Sequence, residues 1–316
     1  MSGPPLGFLD SAGARAGATV PLTWFLLIVS IAVCLVVGSL LLKAVWRPSL
    51  AVPAGATVSR SRGGTRLIYG GLAVTIVLLV VALGWTMTAL GQVAHMPRRP
   101  QLEIDVTAHQ WWWQADYNGS IPEERFTTAN EIHIPVGARV LLRLHGGDVI
   151  HSFWVPKLTG KTDVIPGQVN LAWMEADAPG VYRGQCSEYC GLQHAHMAFQ
   201  VVADAPDRFA EWRRGQLQTA PPPHTAGQAR GLALVEYRCS LCHTVRGTEA
   251  GATVGPDLTH LMSRRQIAAG TLPNTRGSLA GWIEDPAGSK PGAMMPPQQL
   301  NGQDLQALVS YLETLK

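Results

Sequence analysis

Charge is the scarcest property of this chain. Only 15% of its 316 residues are Asp, Glu, Lys or Arg, while 47% are apolar. That balance disfavours a wholly soluble enzyme and excludes a disordered chain. A strong net charge is also missing, and +3 at neutral pH is too small to imply nucleic-acid binding. Cysteine is sparse: Cys34, Cys186, Cys190, Cys239 and Cys242 are the five. A disulfide framework would scatter them across a small scaffold. Here Cys34 sits in an apolar run and the others form C-x3-C and C-x2-C-H, the spacing of metal or haem chemistry. No basic segment precedes the first apolar run, which therefore reads as an anchor rather than a cleaved leader.

Two stretches lack charge altogether, the 27 residues from Ala16 to Leu42 and the 28 from Leu67 to Ala94. As helices each would extend about 40 Å, enough to cross a hydrocarbon core of about 30 Å. Two buried helices of a large soluble core are the weaker reading, because uncharged runs this long are rare outside membranes. Between them lie Lys43, Arg47, Arg60, Arg62 and Arg66 with no acid, so the loop at about 46–66 is expected to be cytoplasmic. The N-terminal segment 1–20 and everything after the hairpin of 21–96 then face the opposite side of the lipid bilayer.

Beyond Met96 the pattern changes to short alternating runs such as EIHIPVGARVLLRLHG, GVYRGQC and MAFQVVAD, bounded by Gly, Pro, Asn and Asp. This is strand chemistry, and several such strands within 97–212 predict a β-sandwich or barrel. Residues 213–228, RRGQLQTAPPPHTAGQ, read as a linker, spanning roughly 20–24 Å as a flexible chain. Within 229–316, GLALVEYRC, DLTHLMSRRQIAAG, LAGWIED and NGQDLQALVSYLETLK have helical spacing, and Asn301 with Asp304 predicts an N-cap for the last helix. The fold class is thus a multidomain membrane protein with a two-helix hairpin, a β-domain and a small all-α domain.

The most informative stretch is GQCSEYCGLQHAHM, which gathers Cys186, Glu188, Cys190, His194 and Met197, with His151 upstream in DVIHSFWVP. Thiolates, imidazoles and a thioether form a soft ligand set that favours copper over magnesium or calcium. A structural zinc site would have no use for Met197. The pattern resembles the binuclear copper (CuA) loop of cytochrome c oxidase subunit II, C-x-E-x-C-x3-H-x2-M. DVIHSFWVP, HQWWW and the N-terminal hairpin resemble that family too, over about residues 20–212. The resemblance implies a cupredoxin-like domain in which Cys186 and Cys190 bridge two copper ions and His151 and His194 are terminal ligands. It further implies Met197 and the Glu188 carbonyl as weak ligands, and the Glu188 carboxylate as a ligand to magnesium at the catalytic-subunit interface. Trp111 would lie where electrons reach the copper domain, while Trp112 and Trp113 read as core. His145 and His196 match no ligand position, and Asp148 and Asp163 are read either as supports of the site or as solvated loop carboxylates.

CSLCH at 239–243 is a c-type haem attachment motif, with Cys239 and Cys242 to bond the porphyrin and His243 for the iron. In GPDL, Pro256 offers a carbonyl to orient His243. KPGAMMPP offers the sixth ligand, and the segment resembles class I cytochrome c over nearly all of 229–316. That family places its ligand immediately before Pro, which favours Met295 over Met294. Met262, Trp282 and Tyr311 read as core.

Together the resemblances imply subunit II of a haem–copper oxidase with a fused cytochrome c domain, in the bacterial inner membrane. Electrons would pass from a cytochrome c or an upstream respiratory complex to haem c, then to CuA. From there they would reach an oxygen-reducing, proton-pumping subunit I, accompanied by a subunit III. Alternatives are the copper-bearing subunit of a nitric oxide reductase and a membrane-tethered copper chaperone, which would need neither Met197 nor a haem. A quinol oxidase subunit would not need these ligands. One departure from the family is that SRGGTRLIYGGL lacks the acid that many members carry for proton uptake near the start of the second helix.

Overall fold

The computed structural model describes residues 6–47, 62–96, 98–119 and 121–316. They divide into two units, residues 17–95 on one hand and residues before 17 together with those after 95 on the other. The basic loop expected at about 46–66 lies largely outside the described residues.

The single turn α1 (Ala14–Gly17) ends at the boundary, and the first unit contains two long helices, α2 (Val20–Val45) and α3 (Arg62–Ala94). Pro21 stands in the first turn of α2, where its missing N–H costs nothing. Their most apolar stretches have no share buried inside the protein, so the apolar surface faces outward all round. Hydroxyl groups within them donate back to their own helix: Thr23 to the Thr19 carbonyl at 2.9 Å, Thr75 to Gly71 at 2.9 Å and Thr86 to Ala82 at 2.7 Å. No hydroxyl proton of these three is left for a lipid tail to meet. The helices meet through Phe25 and Trp85, whose ring centroids are 5.4 Å apart.

The second unit contains two five-stranded sheets. One has the order β3-β2-β1-β5-β8, built from β1 (Leu102–His109), β2 (Trp112–Tyr117), β3 (Phe126–Ala129), β5 (Val140–Gly146) and β8 (Val169–Met174). The other, β4-β10-β9-β6-β7, uses β4 (Glu131–Pro135), β6 (His151–Trp154), β7 (Thr162–Val164), β9 (Gly180–Cys186) and β10 (Ala198–Asp204). Alternating residues of both sheets, among them Ile104, Val106, Trp113, Leu142, Phe153 and Phe199, are buried in one core. The alternating run EIHIPVGARVLLRLHG is two strands, β4 and β5, separated by a turn with Gly137 at φ +72°, and β1 and β2 are separated at Gln110–Trp111.

The helical region follows. The helix α4 (Pro206–Gln216) crosses the boundary expected at 212/213, since Phe209 and Trp212 pack into the sandwich core. Nor is the segment after it a free tether: Ala220 donates its N–H to the Arg246 carbonyl at 2.8 Å, and the Gln218 carbonyl is 3.1 Å from His260 Nε2. Next come α5 (Ala226–Leu234), which runs into a π-turn through Cys239, then α6 (Arg276–Glu284), α7 (Pro286–Ser289) and α8 (Gly302–Leu312). Asn301 caps α8 by accepting the Asp304 N–H at 2.9 Å. At Gly231 α5 and α8 touch, for a Cβ there would stand 2.2 Å from the Ala307 carbonyl oxygen. The stretch DLTHLMSRRQIAAG is not the helix its spacing predicts. It forms one 3₁₀ turn at Leu261–Ser263 and enters the short hairpin of β11 (Gln266–Ile267) and β12 (Leu272–Pro273). Buried Arg264 donates to the Asp257 carbonyl across that turn, a bond that a continuous helix would forbid.

A half-buried histidine ties the sandwich to α4. His133 lies between Asp204 (Nδ1–Oδ2 2.6 Å) and Glu131 (Nε2–Oε1 3.1 Å) and stacks on Trp212 at 4.1 Å. Burial pulls its pKa down, but the two carboxylates outweigh this and raise it. A raised folded value means that stabilisation is complete below the unfolded pKa of about 6.5 and is lost as pH climbs through the folded one. Thermal unfolding of the purified chain should therefore show lower stability at about pH 8 than at about pH 6, and His133→Gln should flatten that difference. An equally steep dependence in the variant would refute the assignment.

Candidate copper and haem sites

The end of the second sheet brings the soft ligands together. Pairing of Phe153 with Cys186 in β6–β9 sets the start of β6 beside the end of β9. The bond from the Cys186 N–H to the Met197 carbonyl, 3.0 Å, closes the loop between β9 and β10. Within this frame the Cys186 and Cys190 sulfurs are 3.8 Å apart, His151 Nδ1 is 3.9 Å from Cys186 Sγ and His194 Nδ1 is 3.7 Å from Cys190 Sγ. Met197 Sδ lies 3.7 Å from Cys190 Sγ, and the Glu188 carbonyl oxygen 3.2 Å from Cys186 Sγ. His151, Cys186 and Cys190 are all buried, with ligand atoms within 4.8 Å of one another. All six groups converge with their donor atoms inward, a set that fits a soft cation.

The two thiols titrate as one unit. Cys186 falls to about 3, chiefly because the Cys190 S–H donates to it; burial opposes the shift and His151 adds to it. The proton left on Cys190 is held more tightly because the Cys186 thiolate lies beside it. A cation bound between the sulfurs displaces that second proton, since metals bind the thiolate form.

Several neighbours find definite partners. Asp148 Oδ1 is 2.8 Å from His151 Nε2, and its other oxygen accepts the Gln110 N–H at 2.6 Å. With Nε2 so engaged, Nδ1 is the nitrogen turned toward the sulfurs. Asp163 is exposed on β7 and does not reach the site. His145 pairs instead with Asp105 at 2.7 Å, and His196 with Gln193 at 2.7 Å. Trp113 is fully buried against His151, Phe153 and Phe199, and Trp112 stacks on His109. Trp111 differs from both, because its indole N–H donates to the Cys190 carbonyl at 2.9 Å.

In the helical region Cys239 and Cys242 are free thiols one turn apart, joined by the bond from the Cys242 N–H to the Cys239 carbonyl at 3.1 Å. His243 Nδ1 donates to the Pro256 carbonyl at 2.7 Å, and burial lowers the ring's pKa against that bond. The imidazole is thereby kept neutral with Nε2 free as a ligand. Gly255 permits the approach, since a Cβ there would stand 2.6 Å from His243 Cε1. Met295 is half-buried against the helical core, whereas Met294 is 86% exposed. Tyr311 and Met262 pack in the same core. The donor chemistry on offer, two thiols, a neutral imidazole and an inward thioether, fits a covalently held haem.

Sequence reasoning missed one residue here. Lys290 is 3% exposed, and its ammonium group donates to the carbonyls of Trp111 (2.7 Å), His196 (2.9 Å) and Ala268 (3.2 Å). Burial lowers its pKa to about 7, with Cys190 opposing. A lone lysine in a loop carries no pattern that would have marked it.

Asp148→Asn keeps the size but weakens the hold on His151, and should reduce copper affinity by about 10–100-fold in a competition titration. Unchanged affinity would show that His151 is oriented by packing alone. At the haem, Met295→Leu should abolish the methionine–iron absorption band and lower the potential, and Met294→Leu should leave both intact. The opposite pattern would make Met294 the ligand.

The chain matches the family of the cytochrome c oxidase subunit II periplasmic domain over residues 120–204 and the cytochrome c family over residues 228–316. It is 38% identical over 261 residues to cytochrome c oxidase subunit 2 of Alkalihalophilus pseudofirmus, an alignment covering 80% of this chain and 74% of that one. Against the protein of the same name from Bacillus sp. (strain PS3) it is 31% identical, covering 76% and 71%. The crystal structure of the periplasmic domain of subunit II of cytochrome oxidase from Bradyrhizobium japonicum is 31% identical, covering 39% of this chain and 96% of that one, with a TM-score of 0.36. The chain thus belongs to the cytochrome c oxidase subunit II family, in the form that continues into a cytochrome c domain.

Proposed function

We propose that this subunit passes electrons from its own c-type haem to a binuclear copper centre and on to an oxygen-reducing, proton-pumping catalytic subunit I, with subunit III beside it. When bound, haem c and the copper pair supply one-electron carriers that change charge without making or breaking a substrate bond. The protein's part is to hold and insulate them. Cys186, Cys190, His151 and His194 would hold the copper pair, with Met197 and the Glu188 carbonyl as weaker donors. Cys239 and Cys242 would hold the haem covalently and His243 and Met295 would hold its iron, while the Pro256 carbonyl steadies His243. Trp111, bonded to the Cys190 carbonyl, is the side chain through which the copper domain is reached.

The observation that carries this reading is the single folded body in which both donor sets sit. Arg265 donates its N–H to Glu131 at 3.0 Å, Ala198 to the Ala269 carbonyl at 3.1 Å, and the Gln193 amide to the Pro291 carbonyl at 2.8 Å. These bonds join the helical domain to the copper loop and its sheet. Val149 and Ile150, next to His151 in the chain, and Tyr189, next to Cys190, are exposed apolar or aromatic residues, which supports a surface covered by the acceptor subunit. The Glu188 carboxylate is exposed as well, and is the group we assign to an interface magnesium.

The same body supports reading the hairpin as a two-pass anchor in the bacterial inner membrane with both ends outside. Residues before the hairpin are part of it: Arg15 is buried and donates to Thr159 at 2.9 Å, and Ala12 donates its N–H to the Lys157 carbonyl at 2.8 Å. A chain whose flanks fold together returns to the side from which it left.

Flash reduction of the haem in the intact complex should be followed by copper reduction at a rate independent of protein concentration. The copper step should vanish when Cys239 and Cys242 are replaced and no haem attaches. A rate proportional to concentration would mean that electrons pass between molecules.

A further inference from the structure

We infer that Lys290 is a positioning residue, clamping the axial-methionine loop of the cytochrome domain onto Trp111 and closing that face to donors from outside. The inference deepens the reading of Trp111 as the way to copper and rests on it.

Burying an ammonium group is costly unless its donors are satisfied. Among the described residues no carboxylate forms an ion pair with Lys290. Its three protons instead meet three carbonyls, two from the copper domain (Trp111 and His196) and one from its own (Ala268). The first acceptor belongs to the same residue whose indole donates to the Cys190 carbonyl. The second immediately precedes Met197. One amine thus joins the end of the copper loop to the residue whose indole bonds that loop at Cys190.

Its surroundings are built for that grip. The turn supplying the third carbonyl holds Ala268 at φ +52° and Ala269 at φ +54°, left-handed conformations that residues with a Cβ avoid. Both carbonyls of this strained pair are used at the interface, Ala268 by Lys290 and Ala269 by the Ala198 N–H. Next along the methionine loop, the Pro291 carbonyl accepts from Gln193. At Gly292 the loop passes so close that a Cβ would be 3.2 Å from Leu192 Cδ2 and 3.4 Å from the Trp111 ring. Consecutive loop residues 290, 291 and 292 therefore contact Trp111, Gln193 and Leu192 in turn; Leu192 keeps 68% of its surface exposed, but a soluble donor has no room against the edge of the indole that Gly292 meets. Electrons from outside must come in through the haem. The lowered pKa of Lys290 agrees with a site sealed from water.

The test uses the purified complex with its metals and haem. In the wild type, acetylation with a water-soluble ester should label Lys290 about tenfold or more slowly than exposed Lys161. In Lys290→Met, the methionine–iron band and the copper spin-resonance signal should persist. Broadening of the copper signal by the nearby ferric haem should fall, and flash-induced transfer from haem to copper should slow about tenfold or more. Lys290→Gln, which keeps two donors, should recover part of both. Labelling of Lys290 as fast as Lys161, or a methionine variant with unchanged broadening and rate, would overturn the clamp. If the wild type itself lacked either spectroscopic signature, the proposed cofactors would be wrong instead, so the two failures are distinguishable. Should Lys290→Met misfold, the acetylation result still decides whether the amine is held.

Discussion

Two sulfur atoms held 3.8 Å apart in a buried loop are the constraint on which the rest of this structure depends. Two thiolates that close repel each other, and out of water the repulsion is severe. The sequence answers this by fixing the pair before any cation arrives. Cys186 ends β9, where its N–H is used by the Met197 carbonyl, and Cys190 lies in a loop pinned by Gln110 and Trp111 through its carbonyl. With the backbone fixed in this way, a cation adds attraction without having to gather its ligands. A loop that moves little when charge changes is also what electron transfer requires, so sheet register and function are linked at this point.

Polar partners extend the constraint outward. Asp148 reaches back to the Gln110 N–H and forward to His151, joining the β5–β6 connection to the turn that carries Trp111. Trp113, two residues on, sits beneath His151 in the core. The aromatic run HQWWW is therefore three different things in succession. One indole is bonded to the copper loop, one stacks at the margin and one is buried packing. Strand alternation explains why neighbours diverge, since successive side chains leave opposite faces.

What the sequence made legible follows from how local each signal is. GQCSEYCGLQHAHM and CSLCH are compact motifs whose spacing is itself the geometry, and in the first of them the donor atoms lie together as the spacing implies. The apolar helices need only composition. Asn301 caps α8 because a cap is decided within four residues. Less legible was whatever depends on distant partners. The turn between β1 and β2 is set by their pairing and the turn between β4 and β5 by the passage from one sheet to the other, and α4 is held by Trp212 on His133. The stretch after Pro256 has helical periodicity, yet a buried arginine bonding the Asp257 carbonyl overrides it. Asp148 and Asp163 look alike in sequence; only the fold puts one of them beside His151.

The junction of the two domains shows the same division between long-range and short-range forces. Counting charges gives −5 for residues 97–212 and +3 for residues 213–316, which suggests electrostatic docking. Among the described bonds that hold the contact, few use that charge. Arg213 and Glu124 pair at 3.4 Å, but both lie on the sandwich side, in α4 and the β2–β3 loop. Glu131 accepts a backbone N–H rather than a side-chain cation, and Lys290 donates to neutral carbonyls. Opposite net charge draws two surfaces together over about 8 Å at physiological salt but does not specify a register. Backbone groups do, because a carbonyl cannot change rotamer and each bond fixes one point of the main chain. On the proposed function, a tethered donor would have no need of tight affinity, since the ordered segment between α4 and α5 already keeps it close. What it needs is one orientation, and contacts between backbone atoms are the means of obtaining it.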